Sequence, residues 1–249
     1  MVGWWRKKSA LEKDAPVMGA PEFLSGSTRG TLPAHMDGPG GRRAVALVVH
    51  DDGVVLTVGD VRRTYVWSEV AHVWHANDMD GEADDGLVIT EWRHELLLEF
   101  TDGTVVNSLL ADSPVVTPES AFRTGRLSSS PPSVIAPLMQ RVIAPVTELH
   151  LARAKATLAG GGQVEFGPLT AMADGLHHGD KKIPWHTITS CRYGFVIFHE
   201  DEDELGAMLR MEYAVDGGAH GLPFAWLRIP ALDVPDLDVL VRLVDENRS

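Results

Sequence analysis

Cysteine is almost absent from this chain of 249 residues, which contains Cys191 and no other. An intrachain disulfide is therefore excluded, and the sequence fits a reducing compartment. No apolar run approaches the ~20 residues that a membrane-spanning helix needs, and the first residues lack the apolar core of a signal peptide. The sequence predicts a cytoplasmic protein, with any membrane contact limited to the membrane's inner face.

Recognisable catalytic and metal-binding motifs are also missing. The chain has no Gly-x-Ser-x-Gly elbow or triad spacing, and no Gly-Lys-Ser/Thr follows the glycines at 160–162. Two histidine pairs stand out, His72 with His75 and His177 with His178. At strand spacing each pair points to opposite faces, so no complete ligand set forms. We therefore expect no enzyme, no metal and no cofactor. A pocket in which His, Asp and Glu side chains converge would argue for an enzyme instead.

Acidic residues outnumber basic ones by 35 to 22, which gives a formal net charge of −13. The first 43 residues are the exception, with seven basic against four acidic residues, whereas the rest holds 15 basic against 31 acidic. A body this acidic repels nucleic-acid phosphates and anionic lipid head groups. We expect no nucleic-acid partner, and only the N-terminal segment is suited to a membrane surface.

A short pattern occurs twice and predicts one fold used twice. Each copy contains an Asp-Gly pair, a Gly-Asp turn, two basic residues and a tryptophan. The first copy is Asp52-Gly53, Gly59-Asp60, Arg62-Arg63 and Trp67, and the second is Asp174-Gly175, Gly179-Asp180, Lys181-Lys182 and Trp185. Gly-Asp and Asp-Gly pairs between β-branched runs are typical of hairpins. We expect Trp67 and Trp185 to be structural anchors that plug one end of each sheet.

Residues 1–43 are rich in Gly, Pro, Ser and Ala and are predicted to be a disordered tail. The first domain is assigned to 44–159, with a connector at 112–133 and a helix at 134–159 that Pro145 kinks or breaks. The second domain is assigned to 160–249, with 160–162 as a hinge and a closing helix at 235–247 whose first turn carries Asp236 and Asp238, favourable to the helix dipole. Strand-like runs lie at 45–50, 54–58, 61–67, 71–75, 87–92, 96–100 and 105–110 in the first domain, and at 163–166, 169–173, 176–178, 181–184, 187–193, 195–199, 208–213 and 224–229 in the second.

This pattern of short antiparallel strands closed by an amphipathic helix resembles the bacterial PH-like (pleckstrin-homology-like) domain. The stretch 162–188 carries the resemblance best, with Asp174-Gly175-Leu176 and Ile183-Pro184-Trp185, and it is similar to the second half of an actinobacterial PH-like family. The resemblance implies a mostly β fold with α (α+β), built as two PH-like domains in tandem. Each domain would have about seven short antiparallel strands and a closing C-terminal helix. It also implies a docking module and no shared active site.

Three kinds of charged segment are candidate sites. By the resemblance, Arg62, Arg63, Lys181 and Lys182 would be the equivalents of the hairpin cations in PH domains that bind phosphoinositides, although solvated hairpin charges explain them as well. The segment Trp4, Trp5, Arg6, Lys7 and Lys8 has the indoles and cations of a weak membrane contact. The acidic stretches at 77–86 and 199–204 are predicted to be exposed hairpin loops, because the first misplaces the glycine and lacks the closing glutamate of a calcium-binding loop.

Two hypotheses for function follow. The first is a non-catalytic adaptor that docks a protein or peptide partner, for which an exposed strand edge is one route. The second is peripheral membrane association through Trp4–Lys8. Cys191, which we expect to face the core from a strand or turn, is predicted to be inert.

Overall fold

The computed structural model describes residues 29–38, 41–82, 88–112, 135–196, 206–215 and 223–248. Within these ranges the protein is mostly β with two longer helices, so the expected class is confirmed. The strands are β1 (Gly30–Gly38), β2 (Gly41–Val49), β3 (Gly53–Val58), β4 (Val61–Val66), β5 (Val70–Glu82), β6 (Val88–Phe100), β7 (Val105–Asp112), β8 (Val164–Phe166), β9 (Leu169–Met172), β10 (Gly175–His178), β11 (Lys181–Pro184), β12 (Ile188–Val196), β13 (Gly206–Ala214) and β14 (Phe224–Pro230). The helices are α1 (Ile135–Ala159) and α2 (Leu237–Asn247), and single 3₁₀ turns lie at Trp67–Glu69, Trp185–Thr187 and Ala231–Asp233.

Strands β1–β7, here called the first half, form one antiparallel sheet in the order β4-β3-β2-β1-β7-β6-β5. Strand β1 joins its two parts, because it pairs with β2 along its whole length and with β7 through His35 and Asn107. Strands β8–β14 and α2, the second half, form two separate antiparallel sheets in the orders β11-β10-β9-β8 and β12-β13-β14. Both halves therefore consist of antiparallel strands, but the first half forms one sheet and the second half forms two.

The repeated sequence pattern adopts the same local structure in both halves. Gly59 and Gly179 both have a φ of 58°, which glycine adopts readily and which the two hairpin turns require. The indole of Trp67 is 6% exposed and donates to the carbonyl oxygen of Asp51 at 2.8 Å. The indole of Trp185 is also 6% exposed and donates to the carbonyl oxygen of Met172 at 3.0 Å. Each indole lies inside the protein with its N–H satisfied by the chain that precedes its hairpin.

Part of the segment that the sequence assigned to a disordered tail forms strands. Strand β1 and the start of β2 lie in this segment, so the prediction of disorder is wrong for residues 30–38 and 41–43. Leu32 and Ala34 are 1% and 2% exposed and belong to the first core. The sequence did not predict β1, because this segment contains Pro33 and lacks the alternation of a strand. Strand β1 pairs with β2 and with the distant β7. Residues 1–28 lie outside the described residues.

Several predicted strand ends are also wrong, because strands continue through the expected turns. Strand β6 (Val88–Phe100) continues through the gap between the runs at 87–92 and 96–100, and β12 (Ile188–Val196) continues through the gap between the runs at 187–193 and 195–199. His94, placed in a turn by the sequence, is fully buried with its Nδ1 2.8 Å from Oδ1 of Asn77. Because β5 continues to Glu82, the stretch at 77–86 begins as strand rather than as an acidic loop.

Helix α1 contributes to the cores of both halves. Met139, Val142, Ile143 and Val146 pack in the first core, whereas Leu151 and Ala154 pack in the second. The helix is continuous through Pro145, so of the predicted kink or break the break does not occur. A proline inside a helix costs about 3 kcal/mol, and burying each of several apolar side chains returns about 2 kcal/mol. Leu149, an apolar residue of the same helix, is exposed. No helix of the described ranges is both long and apolar enough to cross a membrane.

Candidate functional site

Three arginines form a row across the sheet β12-β13-β14. The register pairs Arg192 of β12 with Arg210 of β13, and Arg210 with Arg228 of β14. Residues directly opposite each other in an antiparallel pair share a face. Leu209 and Met211, which alternate with Arg210, are buried, so the arginines lie on the outer face. Because neighbouring strands are about 4.8 Å apart, the arginine row spans about 10 Å.

Two exposed aromatic side chains lie beside the arginine row. Trp226 is 52% exposed and Phe224 is 42% exposed, and strand alternation puts both on the face of Arg228. The guanidinium carbon of Arg210 lies 5.5 Å from the centroid of the Trp226 ring, within cation–π range. The enclosed Nε of Arg210 has no hydrogen-bond partner in the part of the chain that the structure describes. This surface combines cationic donors with an apolar ring.

The outer face of this sheet has an excess of positive charge in an acidic protein. Glu212, which the register places opposite Trp226, is the acidic residue that β12, β13 and β14 contribute to this face within their described residues. Like charges directly opposite on neighbouring strands destabilise a sheet by about 0.2–1 kcal/mol per pair. An anionic group bound at the row would turn that repulsion into attraction. The arginine row with Trp226 and Phe224 is therefore the candidate docking surface.

The first pair of hairpin cations lies elsewhere. Arg62 and Arg63 are exposed on β4, at one edge of the seven-stranded sheet. The Nη1 of Arg63 lies 3.9 Å from Oδ2 of Asp102. One of these two arginines thus lies close to an acidic side chain of the chain itself.

The second pair of hairpin cations is on β11, in the four-stranded sheet. The Nζ of Lys182 forms an ion pair with Asp174. The Nζ of Lys181 donates to the hydroxyl of Tyr213 at 2.5 Å and lies 4.7 Å from the centroid of that ring. Both lysines therefore contact groups of their own chain.

Two predicted sites lie outside the described residues. They are the membrane segment of Trp4, Trp5, Arg6, Lys7 and Lys8, and the acidic stretch at 199–204. Both stay predictions.

The candidate reactive side chains are separated from one another. Cys191 is 4% exposed, and burial raises the pKa of its thiol to about 12, so it is protonated at neutral pH. His177 and His178 lie on β10 opposite Lys182 and Lys181. No group of three or more His, Cys, Asp or Glu side chains in the described ranges has the geometry to hold a metal ion.

A second cluster, which the sequence did not predict, joins the two halves. Asp236, just before α2, is 7% exposed and lies between His72 of β5 and His150 of α1. Its Oδ2 is 2.9 Å from Nδ1 of His72, and its Oδ1 is 2.8 Å from Nδ1 of His150. The backbone N–H of Asp236 also donates a hydrogen bond to the carbonyl oxygen of Val73, at 2.7 Å. Residues His72, His150 and Asp236 are called the His–Asp cluster below.

The hydrogen bonds of the His–Asp cluster constrain its protonation. Nδ1 of His150 faces the carboxylate, and its Nε2 lies 2.9 Å from the carbonyl oxygen of Val70. Since both partners are acceptors, His150 makes both bonds only when both ring nitrogens carry protons. Burial raises the pKa of Asp236, but the hydrogen bonds from His150 and His72 outweigh that effect and hold its pKa below the usual value. The cluster therefore places a buried carboxylate between histidines of β5 and α1.

The sequence assigned Asp236 to the helix dipole, whereas its side chain is turned toward the histidines. The residue has a φ of 53°, a left-handed conformation that aspartate tolerates better than most residues. The cluster borders a pocket of about 210 Å³ whose lining also includes Arg153 and Glu165. The pocket thus brings His, Asp and Glu side chains together, the arrangement that would argue for an enzyme.

Comparison with protein-family models and with curated proteins finds no match to this chain.

Proposed function

We propose that this protein is a non-catalytic binding module that docks a protein or peptide partner on the outer face of the sheet β12-β13-β14. The observation that carries the proposal is the contact between Arg210 and the exposed Trp226 inside a row of three arginines. Tryptophan and arginine are the residues that most often dominate binding energy at interfaces. A large aromatic side chain that stays exposed on a folded surface is typical of an interaction site.

We also propose that the two halves are PH-like domains. Each half has four strands and then three strands, followed in the chain by α1 or α2, and each has a buried tryptophan directly after its fourth strand. A docking role suits this architecture, because a sheet that packs on a core holds its exposed face in a fixed position.

Capture experiments on matched variants test the docking proposal. The full chain, Trp226→Ala and Leu109→Ala would each be used to capture partners from native cytoplasm and membranes. Leu109 is 51% exposed on β7 of the first half, so it controls for loss of an exposed apolar side chain. We expect a captured protein to be lost with Trp226→Ala and retained with Leu109→Ala. Equal capture by both variants would contradict the proposal.

A deletion of residues 1–28 separates this proposal from membrane association through Trp4–Lys8. If the chain without that segment loses its recovery on anionic vesicles while Trp226→Ala keeps it, the function belongs to the N-terminal segment. Recovery of the same protein partner by the deleted chain would place binding on the folded body.

The pocket beside the His–Asp cluster supports a second candidate, general acid–base catalysis. His72 is the half-buried member that Asp236 orients, as an aspartate orients a catalytic histidine. The other contacts of the cluster link α1 and the residue before α2 to β5. The hydroxyl of Thr157 at the pocket donates to the carbonyl oxygen of Arg153. Hydrolysis of an activated ester by the full chain that disappears with His72→Ala would favour this candidate.

A further inference from the structure

Strand β14 is an edge strand in the described part of the chain. Its one strand partner there is β13, whereas the corresponding strand of the first half, β7, pairs with both β6 and β1. The backbone N–H and C=O groups on the other side of an edge strand are able to pair with a further strand. The arginine row and Trp226 lie next to this edge.

We propose that the partner binds as an extended strand along β14, with a carboxylate side chain opposite Arg228 and an apolar side chain opposite Trp226. This inference rests on the docking function proposed above and specifies the chemistry of its partner. Residues opposite each other on neighbouring strands share a face. A fourth strand would therefore continue the row of Arg192, Arg210 and Arg228 with its own side chain.

Charge selects an acidic residue at that position. Three guanidinium groups in register repel one another, and a carboxylate at the end of the row interacts favourably with them. A guanidinium also presents donors that match both oxygens of a carboxylate. The acidic body of the protein does not remove this preference, because charges beyond about 10 Å are screened at physiological salt.

The spacing of the two contacts defines a short motif. Trp226 and Arg228 are two residues apart on one face of β14. A partner strand antiparallel to β14 therefore carries its acidic residue two positions before its apolar residue, and a parallel strand carries them in the reverse order. Thus one acidic and one apolar residue, separated by a single position, form the predicted motif.

Two fluorescein-labelled synthetic peptides test the motif on the full chain by fluorescence anisotropy. Each is nine residues long with a threonine–valine background, and each places glutamate and leucine two positions apart, in one of the two orders. A third peptide replaces glutamate by glutamine, and a fourth carries N-methyl groups on alternate amides. We expect one of the first two to bind, with at least about a tenfold loss for the glutamine and N-methyl versions.

Protein variants locate the contact. Arg228→Glu is expected to weaken binding by about tenfold or more, and a peptide with lysine in place of glutamate is expected to recover part of that loss. Arg228→Gln gives the same direction with a smaller change in charge, in case the reversal disturbs folding. Arg62→Glu, an exposed change on β4 of the first half, is the matched control and should leave binding unchanged.

The outcomes that overturn this inference differ from those that overturn the docking function. Binding that is unaffected by N-methylation, by glutamine or by Arg228→Glu overturns the strand pairing, as does no binding up to about 1 mM peptide. Arg228-dependent binding to vesicles of anionic lipid without peptide binding assigns the row to a membrane and also overturns it. The docking function itself fails only if Trp226→Ala leaves partner capture intact.

Discussion

The two halves differ most clearly at one equivalent row of their sheets. Seven residues after the buried tryptophan, the first half has Trp74 and the second half has Arg192. The full rows are Trp74, Leu97 and Asn107 in the first half and Arg192, Arg210 and Arg228 in the second. Leu97 is 4% exposed, and strand β7 pairs with strand β1 beyond the end of this row. The second row is cationic and stops at the open edge of β14.

The comparison shows that the two halves share the character of their buried positions and differ at their exposed positions. The inward positions of both halves are apolar and buried, so both pack a core against a helix. The outward positions differ between the two halves, although corresponding strands are present in both. The outer edge of strand β5 forms hydrogen bonds within the protein. The carbonyl oxygen of Val73 accepts from the N–H of Asp236, and the N–H of Asn77 donates to the hydroxyl of Tyr193. The edge of β14 has no such strand partner in the described residues.

The largest expected effect tests whether the halves are equivalent in their cores. Trp67→Ala and Trp185→Ala should each lower the free energy of unfolding by about 3–5 kcal/mol, because each empties the space of a buried indole. Since α1 packs on both cores, each variant should still unfold in one transition in urea, followed by circular dichroism. Two separated transitions would show that the halves unfold independently, and unequal losses would show that the anchors are not equivalent.

The joint between the halves should be nearly as sensitive. Asp236→Asn keeps the shape and the tolerance for a positive φ but removes the buried charge beside His150. We expect the free energy of unfolding to fall by about 3 kcal/mol, since the buried carboxylate that both histidines contact is lost. Asp233→Asn, an exposed change in the preceding turn, is the control and should shift it by less than about 0.5 kcal/mol. Equal effects of the two changes would contradict the role of the cluster.

Acid should reduce the contribution of this joint. Because the pKa of Asp236 is lower in the folded chain than in the unfolded one, its carboxylate stabilises the fold above the unfolded pKa of about 3.9. That contribution is lost as pH falls through the folded-state pKa. The difference in unfolding free energy between the native chain and Asp236→Asn should therefore shrink below about pH 4. A difference that is unchanged at about pH 2 would show that the charge is not its source.

The smallest expected effect concerns the arginine row. Arg192→Gln removes one of the opposed charges, so the free energy of unfolding of the unbound chain should rise by a few tenths of a kcal/mol. Arg62→Gln in the first half should have no measurable effect. A loss of stability with Arg192→Gln would mean that Arg192 is held by favourable contacts, and would weaken the contrast between the two outer faces.

Local chemistry allowed the sequence to predict much of the second half. The Gly179 turn and the pairing of β10 with β11 followed from residues a few positions apart. Strand β1 was missed because its residues lack alternation, and its order depends on β2 and on β7 about 70 residues away. A kink or break at Pro145 was predicted from a local rule, but the helix continues through Pro145 and packs against both cores.

The sequence by itself determined the repeat, the hairpins, the buried tryptophans and the closing helices, because each depends on residue spacing and on the φ preferences of nearby residues. It even marks each arginine of the row, since Arg192, Arg210 and Arg228 each stand between two apolar residues. Only the tertiary structure decided that these three meet in one row, and that Asp236 lies between His72 and His150. Strand register and contacts between distant segments depend on how the whole chain packs, which local spacing does not specify.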